Sequence, residues 1–271
     1  MDTATLGHRA ASRTRGGYGL RTVTRMEWRK LRTVRSTWYI LALFAAAMIG
    51  LAMLAAGHED YAQMPAAGRA SFDPTYHAFL GLVAGQLLLG VLGVLTITTE
   101  FSSGMIRATF AAAPRRPLVL AAKAAVLGAV TLAAGEIAAF AAFYAGQAML
   151  NAPAPHATLG QPGVLRAVAM AGAYPALIAL ISLGIGAIIR HTAGAICALA
   201  GVVFVLPVLF SLGSSPQNTA QKFLPDTMRN SLIAVKPFAH LLSPGVTFGL
   251  LCAYAMAALA AGAWALARRD A

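Results

Sequence analysis

Acidic residues are scarce in this chain: nine Asp and Glu stand against 21 Lys and Arg, and charged residues of either sign make up only 11% of its 271 residues. So little charge excludes an ordinary water-soluble domain, whose composition carries about 25% charged residues. Cysteine is nearly absent as well. Cys197 and Cys252 both lie in apolar runs at different expected depths, which argues against a disulfide framework and predicts small core residues. No Gly-Lys dipeptide occurs anywhere. A P-loop needs glycine-rich backbone followed by Lys and Ser or Thr to hold phosphates, so the chain has no such nucleotide site of its own. The short basic leader of a cleavable signal peptide is also missing: 37 mostly polar residues precede the first apolar run, which is therefore expected to stay in the mature protein.

What is present is hydrocarbon. The chain is 58% hydrophobic, with a mean hydropathy of +0.68. About twenty apolar residues cross a bilayer core, and six stretches qualify: Trp38–Ala56, Phe79–Thr98, Val119–Ala145, Val168–Ile189, Ala193–Leu212 and Val246–Ala267. The expected architecture is an all-α membrane protein with one transmembrane domain over residues 21–271, preceded by a basic arm, residues 1–20, expected to be disordered. Only Arg190, His191 and Thr192 separate the fourth and fifth stretches, which predicts a tight helical hairpin. No internal repeat or low-complexity linker interrupts the pattern.

A net charge of +12 suggests a polyanion partner, but the cations lie in the N-terminal arm and in short segments between apolar runs, a distribution that fits membrane lipid and not nucleic acid. Sixteen of the 21 fall on one side of the alternating loops: nine from Arg9 to Arg35, then Arg107, Arg115, Arg116 and Lys123, Arg190, and Arg268 and Arg269. Arg69, Arg166, Lys222, Arg229 and Lys236 fall on the other. Cytoplasmic loops carry the excess of Lys and Arg, so both termini are expected in the cytoplasm of a bacterium, with the chain in its plasma membrane. The expected outer loops are residues 57–78, 151–165 and 213–244. The last holds Phe223–Leu224 and Ser231–Val235 between Pro225, Pro237 and Pro244, which predicts short helices on or dipping into the membrane face.

A helix from Arg21 to Arg35 places Val23, Met26, Leu31 and Val34 on one stripe and Arg21, Arg25, Arg29 and Arg32 opposite, as an interfacial helix leading into the first span. Glu27 sits within the apolar stripe. A carboxylate there needs a partner, either Lys30 or a basic group on another protein. After the second span, Thr99 to Phe110 predicts a short helix capped by Ser102 or Ser103 and ended by Pro114, showing Met105, Ile106 and Phe110 to the cytoplasm. Such a ridge is either a docking surface or a helix resting on headgroups. Glu136 is the only acidic residue within the spans. It is either protonated and hydrogen-bonded to a neighbouring helix or a substrate or proton site, with Arg166 as a candidate partner and Gln86, Tyr144 and Tyr174 as candidates for the same polar strip. Gly81 and Gly85 have GxxxG spacing, which permits a close helix seam, within the chain or in a dimer. His58, His77, His156 and His240 fall in expected outer loops without metal-ligand spacing. No Ser/His/Asp or Cys/His set shares one membrane depth, so catalytic residues are not expected and the chain does not read as an enzyme.

The run Glu27-Trp28-Arg29-Lys30-Leu31-Arg32-Thr33 before the first span, the run Thr99-Glu100-Phe101-Ser102-Ser103-Gly104-Met105-Ile106-Arg107 after the second, and the six spans resemble the type-2 ABC transporter permease family of actinobacteria. The likeness extends from Arg21 onward. It implies a transmembrane subunit that pairs with a second permease copy or paralogue and with separate ATPase subunits, which bind the ATP and magnesium; the chain itself then needs no cofactor. It also implies ATPase coupling through an interfacial helix holding Glu27 and Leu31 and a coupling helix holding Glu100, Phe101, Met105, Ile106, Arg107 and Phe110. Two rivals remain: an ATP-independent secondary transporter using Glu136, for which inverted repeats are the missing sign, and a non-transporting anchor or immunity subunit that binds an ATPase.

Overall fold

Alanine and leucine fill the apolar runs, and a backbone in hydrocarbon must satisfy its own hydrogen bonds, so these runs become helices. The structure, a computed structural model, describes residues 19–58, 61–112, 115–212, 219–236 and 241–268. Among them there is no strand. Helix α1 (Leu20–Thr33) leads into α2 (Arg35–His58), and two short helices follow, α3 (Ala66–Ser71) and α4 (Pro74–His77). Next come α5 (Leu82–Ser102), α6 (Met105–Ala112), α7 (Arg116–Met149) and α8 (Val164–Ile189). The remainder is α9 (Thr192–Ala200), α10 (Leu206–Leu212), α11 (Pro225–Ile233) and α12 (Pro244–Arg268). Among the described residues, six helices are long and apolar enough to cross a membrane: α2, α5, α7, α8, the α9–α10 unit and α12.

They match the six expected runs, and the differences lie at the ends. α5 continues to Ser102 and α7 starts at Arg116, both several residues into segments expected to be interfacial. Of the basic arm, only Gly19 and Leu20 are described, and Leu20 already opens α1. A wider π-helical turn, Gly201–Val205, joins α9 to α10. It lies just ahead of Pro207, whose ring strikes the carbonyl four residues back in a regular α-helix. Cys197 is exposed and Cys252 half-buried, both as free thiols, so neither is the core residue expected.

Helix α8 is the axis of the bundle, packed on α5, α7 and α12. Small residues set these approaches, because without a strong hydrophobic force between helices close van der Waals packing must hold them. A Cβ on Gly93 of α5 would lie 2.2 Å from the Ala179 carbonyl oxygen, and one on Gly135 of α7 would lie 2.2 Å from that of Gly172. The GxxxG pair serves the same purpose inside the chain. Gly81 abuts the backbone of Met48 and Gly85 abuts the Phe44 ring, so this spacing forms the α2–α5 seam and is not free for a dimer seam.

At the bundle end that carries α3 and α4, α11 is one of the short helices expected in this segment, and it packs into the bundle. Its Met228, Leu232 and Ile233 are buried in the main core. One carboxylate ties this end together: Asp73 Oδ1 accepts from the Thr75 and Tyr76 amides, capping α4, and Oδ2 accepts from Val235 N at 2.9 Å and Lys236 N at 3.3 Å. Asp73 is 8% exposed. Asp73→Ala is expected to destabilise by about 1–3 kcal/mol, since it orphans several amides. Amide hydrogen exchange should accelerate at Val235 and Lys236 and across α11, with α2 unchanged; unaltered exchange there would rule out the latch.

Candidate functional site

At the opposite end of the bundle, α7 buries Val119, Leu120, Ala122, Lys123, Val126 and Leu127 along one face. A lysine in that row has lost water on every side: Lys123 is 2% exposed. Its Nζ donates to Glu27 Oε2 at 2.7 Å, Glu100 Oε1 at 2.5 Å and the Thr96 carbonyl at 3.3 Å. Lys30 Nζ donates to Glu27 Oε1 at 3.2 Å, Glu100 Oε1 at 3.0 Å and Thr109 Oγ1 at 3.2 Å. Thr109 in turn donates to Glu100 Oε2 at 3.4 Å. An ammonium has three donors, and both lysines use all of theirs. Two cations and two carboxylates cancel, so the group is neutral and internally satisfied.

The network joins α1, α5, α6 and α7 at one point. Burial alone pulls the Lys30 ammonium toward deprotonation, but hydrogen bonds and proximity to Glu100 and Glu27 outweigh it and hold the amine above its ordinary value. A raised amine contributes stability fully below its unfolded value and loses it only as pH rises through the higher folded one. The Lys30 contribution is therefore constant through neutral pH. Basic side chains from other elements converge on this end: Arg116 donates to the Leu266 carbonyl and lies over the Phe110 ring, while Arg190 donates to the Ala265 carbonyl and lies over Phe101.

The residues picked out from sequence divide into two sets. Glu27 (4% exposed), Glu100 (6%), Ile106 (3%) and Leu31 are buried within this chain. Ile106 therefore does not stand on an exposed ridge as expected, and Glu27 finds its partners inside the chain. Met105 is 50% exposed, Arg107 is exposed beside it, and Phe101 and Phe110 are half-buried. Lys123 and Thr109 were missed. The available signal was an in-span lysine on the apolar stripe of the third run, near two carboxylates on stripes of their own.

The second candidate set does not assemble. Arg166 donates to the Leu232 and Ala234 carbonyls at 2.9 and 2.7 Å and does not pair with Glu136. Glu136 is half-buried in mid-α7 with its carboxyl against Gly172, and among the described residues it makes no hydrogen bond or ion pair. Tyr174 donates to Gln86 Oε1 and lies 3.1 Å from the Pro225 carbonyl, fixing α11 to α8 and α5, whereas Tyr144 points outward at 59% exposure. His77 stacks on Phe72 at 4.9 Å, His58 ends α2, and His240 lies outside the described residues. No group of three or more His, Cys, Asp or Glu among the described residues has metal-binding geometry.

Compared with known proteins, the chain matches no family model, and no curated protein is similar enough to count as a relative.

Proposed function

We propose that the chain is the membrane-spanning subunit of an ABC exporter in a bacterial plasma membrane, with both termini cytoplasmic, working with a second permease copy or paralogue and with separate ATPase subunits that bind ATP and magnesium. The observation that carries this reading is the fixed presentation of α6. Its inward residue Thr109 is tied to the bundle through the neutral Glu27–Lys30–Glu100–Lys123 network and Ile106 is buried, while Met105 and Arg107 are exposed. A force applied to such a helix reaches α1, α5 and α7 together, because all four share the same buried charges. The convergence of Lys30, Lys123, Arg116 and Arg190 on this end agrees with a cytoplasmic face. Energy has to enter by contact, since the chain lacks a P-loop.

Met105→Asp tests this. Burying a methionine side chain at an interface is worth roughly 1.5–3 kcal/mol, and each 1.4 kcal/mol is about tenfold in affinity. ATPase retention in the membrane fraction is expected to fall at least about tenfold at matched expression. The change leaves the fold intact because Met105 is half-exposed; Ile106→Asp is unsuitable because it would bury a carboxylate at a position only 3% exposed. Equal retention in variant and parent would move the reading to an ATP-independent transporter. The observation favouring that second reading is Glu136, a carboxylate inside a span that makes no hydrogen bond or ion pair among the described residues. In that case Glu136→Gln should abolish transport without affecting any ATPase.

A further inference from the structure

A cavity of about 230 Å³ opens beside the buried network, between α1, the start of α2, α5 and α7. Its inner wall is apolar, formed by Leu92 and Leu95 of α5, Val126 of α7 and Leu31 of α1. Its polar lining includes Ser36 and several threonines together with Glu27, Lys30, Glu100 and Lys123 of the closed network. We propose that this cavity binds one anionic phospholipid, with part of an acyl chain against Leu92, Leu95 and Val126 and the phosphate at the mouth beside Ser36.

Three features argue for this occupant. The apolar wall belongs to helices that cross the membrane, and a half-open apolar recess in a bilayer fills with hydrocarbon, because hydrocarbon is the surrounding solvent there. The network behind it is neutral and has no free donor on either lysine, so it offers no charge to a small soluble anion deep inside. The unbalanced charge lies on the flanking chain instead. Arg32 and Arg35 are exposed and adjoin the lining residues Leu31, Thr33, Val34 and Ser36 in sequence, and Glu27 is the only acid in α1 or the start of α2. Basic groups at that depth attract anionic headgroups. One ligand with an apolar tail and an anionic phosphate satisfies both halves of the site. Met105 of α6 also lines the cavity, so a change there touches both this site and the proposed ATPase contact, and the variants below leave it in place.

The test uses the full chain, reconstituted in phosphatidylcholine vesicles containing a minority of phosphatidylglycerol, extracted in mild detergent and analysed by native mass spectrometry. One phosphatidylglycerol per chain should be retained in preference to phosphatidylcholine. Leu95→Trp, which fills the cavity, should reduce the retained lipid at least fivefold. Val34→Trp blocks the mouth from a half-exposed position, so it is tolerated even if Leu95→Trp fails to fold, and it should give the same loss. Arg32→Gln with Arg35→Gln should remove the preference for phosphatidylglycerol while the chain still folds. Equal retention of the two lipids by the parent would overturn the proposal, as would undiminished phosphatidylglycerol in the folded Val34→Trp protein.

Discussion

Lys123→Met is expected to lower the stability of the purified chain more than any other single change at this end of the bundle. Methionine keeps the length and apolar stem of lysine, so the substitution removes charge without opening a large cavity. It leaves Glu27 and Glu100, 4% and 6% exposed, to share Lys30 alone. Breaking a buried pair by removing one partner costs about 3–5 kcal/mol, because the surviving charge is left uncompensated. Thermal unfolding in detergent should show a clear drop in midpoint. The double change Lys123→Met with Glu27→Gln should recover part of it by removing one of the stranded charges, as a coupling of about 0.5–3 kcal/mol between contacting residues implies. A Lys123→Met midpoint equal to that of the parent would mean that the four charges are held by water and not by one another.

The second large effect is expected at Gly93. An added methyl there meets the Ala179 carbonyl oxygen at 2.2 Å, and a backbone oxygen has no rotamer by which to move aside. Gly93→Ala must push α5 from α8, and overpacking of this kind costs about 1–3 kcal/mol or more. Gly50 of α2 is the control, since nothing lies within 4 Å of a Cβ built on it. Gly50→Ala should be neutral or stabilising, by up to about 1 kcal/mol from helix propensity. Urea or heat titrations that rank the two variants equally would show that the α5–α8 approach is looser than the packing described above.

The six spans were legible in the sequence because length and hydropathy determine them almost alone. Their ends were less legible, for a physical reason. Helices α5 and α7 carry Glu100 and Lys123 as part of the bundle, since the opposite charges neutralise one another. A count that treats each lysine as solvated puts Lys123 among loop cations and cannot foresee this pairing across 23 residues of chain. Glu27 was legible as a misplaced carboxylate needing a cation, but the choice between Lys30, Lys123 and a partner protein depends on how α1 lies across α7. Likewise, the Gly81–Gly85 spacing announces a close approach without naming the partner helix, which is α2. The segment around α11 looked interfacial because its apolar stretches, Phe223–Leu224 and Ser231–Val235, are short and broken by prolines. What buries them is the Asp73 latch and the Tyr174–Pro225 contact, both made by residues far away in sequence.

The outward face of α6, held by the buried charges, is the surface proposed above to receive an ATPase. The most direct measurement places a photo-activated cross-linking amino acid at Arg107, an exposed position next to Met105, in the full chain in its native membrane, and identifies the adduct by mass spectrometry. The account predicts a cross-link to a polypeptide containing Walker A and Walker B sequences, strongly reduced by Met105→Asp. Adducts to lipid alone, at full yield with and without Met105→Asp, would contradict it.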